Sequence, residues 1–198
     1  MLVPGLWMPA AAMGLLAARL SARGFALRTF SYRGRSPFDA NVERFGRYLR
    51  ESRRKFHLVG HSLGGVLILE TLQRHPDIPA ASALLLGAPV RGCYAGRRFG
   101  RASVGRWMMG ACGDLWEERA AVWRRPEPLG VIAGTLPLGL GRALGRLPGQ
   151  NDGVVCVEET AVEGMTAQAL VPLGHSSLIV SGRVAALAAR FCSQGGFE

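Results

Sequence analysis

Phe56-His57-Leu58-Val59-Gly60-His61-Ser62-Leu63-Gly64-Gly65-Val66-Leu67-Ile68-Leu69-Glu70 is the stretch on which the fold turns. Phe56 to Gly60 reads as a short buried strand. The run after Ser62 reads as a helix. Between them lies a Gly-x-Ser-x-Gly turn so tight that a side chain at either glycine would meet neighbouring backbone. Ser62 is thereby forced to the tip of the turn, at the mouth of a helix whose first N–H groups have no partner within the helix. That is the setting in which a serine becomes a nucleophile and in which free amides can receive an oxyanion. With 27 Gly in 198 residues, the bare pattern would arise by chance about 0.2 times. The strand before it and the helix after it therefore carry the reading. The rival is an ordinary strand–helix turn with a solvated serine.

The same grammar continues on both sides. Met1 to Pro4 is a stub of strand, and Pro9 to Leu20 is helical with Met13, Leu16, Ala17 and Leu20 on one face. Phe25 to Tyr32 reads as a second strand. Ser36-Pro37 opens a helix with Val42, Phe45, Tyr48 and Leu49 as its apolar stripe. After the Ser62 helix, which ends near His75-Pro76, Ala81 to Gly87 is a fourth strand and Leu129 to Gly134 a fifth. Gln168 to Leu173 is a sixth, and Ser176 to Phe191 a final helix. Gly92 to Pro128 is an irregular excursion rich in Arg and Trp, and Thr135 to Gln150 has no clear pattern. Short apolar strands separated by helices imply a parallel sheet covered on both faces.

Composition narrows the class. An apolar fraction of 48% with 19% charged residues describes a folded domain rather than a disordered chain. The net charge of +10 comes from 24 basic residues, of which Lys55 is the only lysine. The arginines are scattered and accompany no nucleic-acid-reading motif, so no nucleic-acid partner is expected. Their charge permits weak contact with an anionic membrane surface. Cys93, Cys112, Cys156 and Cys192 show neither metal-ligand spacing nor a CxxC pair. The apolar Met1–Leu20 stretch lacks a basic start and is interrupted by Pro4 and Pro9. It is therefore not read as a signal peptide, and a cytoplasmic protein is expected.

A parallel sheet places its site at the carboxyl ends of its strands. His57 opens its strand at the wrong end, and His75 is roughly 20 Å from Ser62 along the helix. His61 adjoins Ser62 and reads as a packing or hydrogen-bonding residue. His175 alone lies just past a carboxyl end, which makes it the candidate base, with an ordinary structural histidine as the rival. Asp152, in Asn151-Asp152-Gly153, gives the chain order Ser, Asp, His and is the candidate acid. Asp114 is its competitor, and a chemically idle Asn-Asp-Gly turn is the rival reading. Pro4-Gly5-Leu6-Trp7 places the amide of Leu6 where it can join that of Leu63 in an oxyanion hole.

Taken together, PGLW, GHSLGG, NDGVV and GHSS in that order resemble the α/β-hydrolase superfamily, and within it the small lipase- and esterase-like members. The resemblance spans most of the chain except residues 92–128 and 135–150. It maps the nucleophile to Ser62, the acid to Asp152, the base to His175 and the oxyanion donors to Leu6 and Leu63. Two departures stand out. Pro4-Gly5 replaces the common His-Gly, and the customary N-terminal antiparallel strands are missing.

The resemblance implies a single-domain minimal α/β-hydrolase over residues 1–198. Its sheet would have about six mostly parallel strands in the order 2-1-3-4-5-6, with helices on both faces. The activity implied is that of a serine hydrolase needing no cofactor and no metal. It would cleave small-molecule carboxylic esters, lipid-like or short-acyl, through an acyl-enzyme. The excursion at 92–128 would act as a lid, with Trp7, Trp107, Met108 and Trp116 on the substrate side. A thioesterase or acyltransferase using the same residues is the alternative enzyme. A non-catalytic binding module of the same fold and a basic membrane-surface protein are the alternatives outside enzymology.

Overall fold

A computed structural model describes residues 1–34, 36–101, 103, 105, 107, 115–138 and 147–198. Five parallel strands form one sheet in chain order: β1 (Leu2–Val3), β2 (Phe56–His61), β3 (Ala80–Leu86), β4 (Leu129–Gly134) and β5 (Ala167–Val171). The described helices are α1 (Gly14–Ser21), α2 (Phe38–Ser52), α3 (Leu63–Arg74), α4 (Tyr94–Arg101) and α5 (Gly182–Gln194). The chain is thus an α/β fold.

Side chains that alternate along a strand serve opposite faces of a sheet. Leu58, Ala83, Leu85, Leu129 and Val131 pack with Val42, Phe45 and Leu49 of α2 and the buried face of α3. Val59, Leu84, Leu86, Ile132 and Val171 pack on the other side with Leu16 and Leu20 of α1 and with Val184, Ala188 and Phe191 of α5. Burying one such leucine is worth about 2 kcal/mol, so these two layers dominate the stability. Gly130 lets the second layer close, because a Cβ there would lie 2.7 Å from the ring of Phe191.

Three expectations shift. Phe25 to Tyr32 runs beside β1 as expected, but it makes a single parallel bridge, Thr29 to Leu2, in place of a sixth strand. Two bonds hold it, Leu2 N–H to Arg28 O at 2.7 Å and Phe30 N–H to Leu2 O at 2.9 Å. The ladder stops there because β1 is two residues long and Pro4 has no N–H to extend it. The Pro9–Leu20 helix begins as a 3₁₀ turn, Ala10–Met13, before α1. The last helix starts later than Ser176. His175–Ile179 forms a 3₁₀ turn, and Ser181 caps α5 by accepting from the Val184 amide at 3.3 Å.

Candidate active site

The turn after β2 has the strain its sequence implies. Ser62 sits at φ +52°, ψ −126°, a left-handed conformation that L-residues rarely adopt. A Cβ at Gly60 would lie 2.6 Å from Gly64 O and Gly65 N, and one at Gly64 would strike the carbonyls of Val3 and Pro4. Ser62 N–H donates to Leu86 O at 2.9 Å, which ties the turn to the end of β3. Its carbonyl starts α3 by accepting from Gly65 at 2.9 Å.

Asp152 and His175 come together beside this turn, above the ends of β3 and β4. His175 Nδ1 lies 2.7 Å from Asp152 Oδ2, and Asp152 is 1% exposed. The other carboxylate oxygen, Oδ1, accepts from the amides of Val154 at 2.9 Å and Val155 at 2.7 Å. These bonds aim the carboxylate and satisfy it without a counter-cation. The His175 amide donates to Asp152 O at 2.9 Å, so residue and partner are joined twice. The Asn-Asp-Gly turn is present as well, with Gly153 N–H donating to Asn151 Oδ1 at 3.0 Å.

Two glycines make the approach possible. A Cβ at Gly87, whose φ is +54°, would lie 3.0 Å from Asp152 Oδ2 and 3.2 Å from His175 Nδ1. At Gly134 it would lie 2.7 Å from Asp152 Cβ. The sequence marked Gly87-Ala88-Pro89 only as the end of a strand. Nothing in its spacing identified Gly87 as the floor of the site.

Leu63 follows Ser62 as the first residue of α3, and Leu6 follows Gly5, which approaches Ser62. Among the described residues, neither amide donates to a backbone carbonyl. The loop carrying Leu6 is held by Tyr32 OH donating to Pro4 O at 3.0 Å. A Cβ at Gly5 would lie 3.0 Å from Ser62 Cβ, so this loop touches the serine directly.

The excursion divides into two parts. Trp116 and Trp123 are buried in the core, and Trp107 is 67% exposed. The sequence grouped Trp116 with Trp107, but the structure separates them, because Trp116 packs on the backbone at Gly96 in α4. Trp7, at φ +59° and 50% exposed, meets Phe99 of α4 edge-on at 6.0 Å. Met108 and Asp114 lie outside the described residues. Several arginines of the excursion serve its own packing. Arg97 donates to Trp116 O at 3.2 Å, and Arg119 to Val90 O at 2.9 Å. Arg125 donates to Leu72 O, His75 O and Ile78 O at the end of α3.

Glu159 is a residue the sequence reading missed. Its Oε2 accepts from Cys156 N–H at 2.7 Å and its Oε1 from the Tyr94 amide, which joins the acid loop to the start of α4. Burial raises its pKa. The Cys156-x-x-Glu159 spacing of a capping box was the available signal for the local half of this bridge. Burial also pushes the thiols of Cys93 and Cys156 up to about 12, so both stay protonated at neutral pH. His61 is driven the other way. Burial, then the neighbouring His175, lowers it to about 3.

Among the described residues no group of His, Cys, Asp or Glu has the arrangement of a metal centre. No helix among them is long and apolar enough to cross a membrane.

Among solved structures, the chain is similar to the mature form of the lipase BlEst2 from Bacillus licheniformis. The TM-score is 0.72 at 18% identity, covering 92% of this chain and 86% of that one. It is similar to the RedJ thioesterase of the prodiginine pathway in Streptomyces coelicolor, with TM-score 0.62, 16% identity, and 97% and 83% covered. It is also similar to the meta-cleavage product hydrolase of Pseudomonas fluorescens IP01, with TM-score 0.63, 15% identity, and 98% and 89% covered. At such identities these likenesses speak for the fold alone. No curated protein sequence matches the chain. A family model described as "Alpha/beta hydrolase family" matches residues 1–190. The chain therefore belongs to the alpha/beta hydrolase family.

Proposed function

We propose that this chain is a serine hydrolase of carboxylic esters, with Ser62 as nucleophile, His175 as base and Asp152 as the orienting acid. The observation that carries the proposal is the buried 2.7 Å bond between His175 Nδ1 and Asp152 Oδ2 beside the strained turn at Ser62. With Nδ1–H committed to Asp152, Nε2 is the nitrogen left to act as base. It takes the Ser62 proton as Oγ attacks the acyl carbon. The amides of Leu6 and Leu63 receive the oxyanion. His175 returns the proton to the departing alcohol, and an acyl-Ser62 ester remains. Water, deprotonated by the same nitrogen, then releases the acid and restores Ser62.

The exposed faces of Trp7 and Trp107 suit an apolar acyl group, with α4, whose Phe99 meets Trp7, as a cover beside the site. p-Nitrophenyl esters of graded chain length, run beside the matching acyl thioesters, test this reading. Ester hydrolysis that disappears in Ser62→Ala is expected. Ester hydrolysis undiminished in Ser62→Ala, or none by the unaltered chain at any chain length, would overturn it. Faster turnover of the thioesters would assign the acyl donor to the thioester class.

A further inference from the structure

We propose that His61 is a positioning residue for His175, its ring N–H holding the main-chain carbonyl of His175 and so fixing the base against Ser62. The inference rests on the reading of Ser62, Asp152 and His175 given above.

His61 is the last residue of β2, adjacent to Ser62 and almost wholly buried. Its Nε2 lies 3.1 Å from His175 O, and the two rings sit 4.6 Å apart, tilted by 45°. A carbonyl oxygen can only accept, so the hydrogen is on Nε2. Nδ1 of the neutral ring is then a bare lone pair. It is buried, and the described residues supply no donor to it. A buried acceptor without a donor is a retained cost. Leucine or phenylalanine at the end of this apolar strand would avoid that cost. What they could not do is donate to His175.

The need for that donor follows from how His175 is otherwise held. Its amide and its Nδ1 both bond to Asp152. Neither of these two bonds reaches β2, the strand that leads into Ser62. The bond from His61 is a third tie, and it comes from the element that carries the nucleophile. It therefore sets the spacing between nucleophile and base. Burial keeps the His61 ring neutral, so it does not compete with His175 for the proton in transit.

Three variants separate the donor from the volume. His61→Gln presents an amide N–H at about the reach of Nε2, His61→Asn is one methylene too short, and His61→Leu fills space with no donor. On a soluble p-nitrophenyl ester, kcat is expected to fall roughly tenfold or more in His61→Asn and His61→Leu, with KM within about twofold. His61→Gln is expected to recover to within about threefold. A second readout is the low-field proton resonance of the His175–Asp152 bond, expected to persist in His61→Gln and to broaden away in His61→Asn. Packing alone predicts the reverse order, with leucine at least as active as glutamine and turnover following melting temperature.

His61→Leu at full kcat, or His61→Gln no better than His61→Asn, would overturn the proposal. If His61→Leu does not fold, the glutamine–asparagine comparison still decides. Failure of the underlying reading is distinguishable, because Ser62→Ala would then keep its hydrolysis whatever stands at position 61.

Discussion

At the scale of single residues, the proposed site consists of Ser62, Asp152 and His175, and one substitution separates the two acids the sequence offered. Asp152→Asn leaves the volume unchanged but removes the charge that selects the His175 tautomer. It is expected to lower kcat by about 10⁴. Asp114→Asn is expected to leave kcat nearly unchanged, and a loss in that variant alone would move the acid to the stretch after β3. Acid stability supplies a second residue-scale prediction. Unfolded, His61 titrates at its ordinary 6.5; folded, it is held near 3. Below the upper value the unfolded chain takes up a proton that the native chain refuses, so stability falls as pH drops through that window. In His61→Gln the fall between pH 6.5 and 4 is expected to be shallower, as read by urea midpoints. Identical slopes would show that the fold does not exclude the proton. The turn at Ser62 and the place of His175 past a strand end were legible because adjacent residues spell out those strands, whereas Asp152 rested on chain order, and its approach to His175 is visible only in the fold. Gly87 and the Tyr94 half of the Glu159 bridge were not legible, because the partners there are more than 60 residues apart in the chain.

Elements differ in how firmly the sequence announced them. β2, α3, β3 and β4 were readable as apolar runs because the sheet buries both faces of each strand. The Phe25–Tyr32 segment reads the same way but pairs with a strand too short to hold it, and no local pattern records its partner's length. The N-cap of α5 is Ser181, five residues after Ser176, where the sequence placed the start of that helix. Glycine substitutions show where backbone approach is structural. Gly64→Ala is expected to cost about 3 kcal/mol or to prevent folding, since the new methyl would strike Val3 O and Pro4 O. Gly14→Ala meets nothing within 4 Å and is expected to raise stability by about 0.5 kcal/mol. Arg125 makes a parallel case. It closes the end of α3 through three carbonyls and pairs with Glu127 at 2.7 Å. Arg125→Lys keeps the charge but loses the planar fork, and a loss of roughly 2 kcal/mol in thermal or urea unfolding is expected.

Over the whole molecule, a basic chain presents Trp7 and Trp107 to solvent while Trp116 and Trp123 anchor the excursion to the core. The two kinds of tryptophan should respond differently. Trp107→Ala is expected to lower activity on aggregated esters more than on soluble ones at unchanged melting temperature. Trp116→Ala is expected to destabilise by about 3 kcal/mol. Equal losses on both substrate forms in Trp107→Ala would make that residue part of the packing. The claim on which everything else depends is that Ser62 is the nucleophile, and covalent labelling with a fluorophosphonate read by peptide mass spectrometry tests it most directly. One adduct is expected, on the peptide bearing Ser62, with none in a folded Ser62→Ala variant. An adduct on any other residue, or full labelling of Ser62→Ala, would contradict the account.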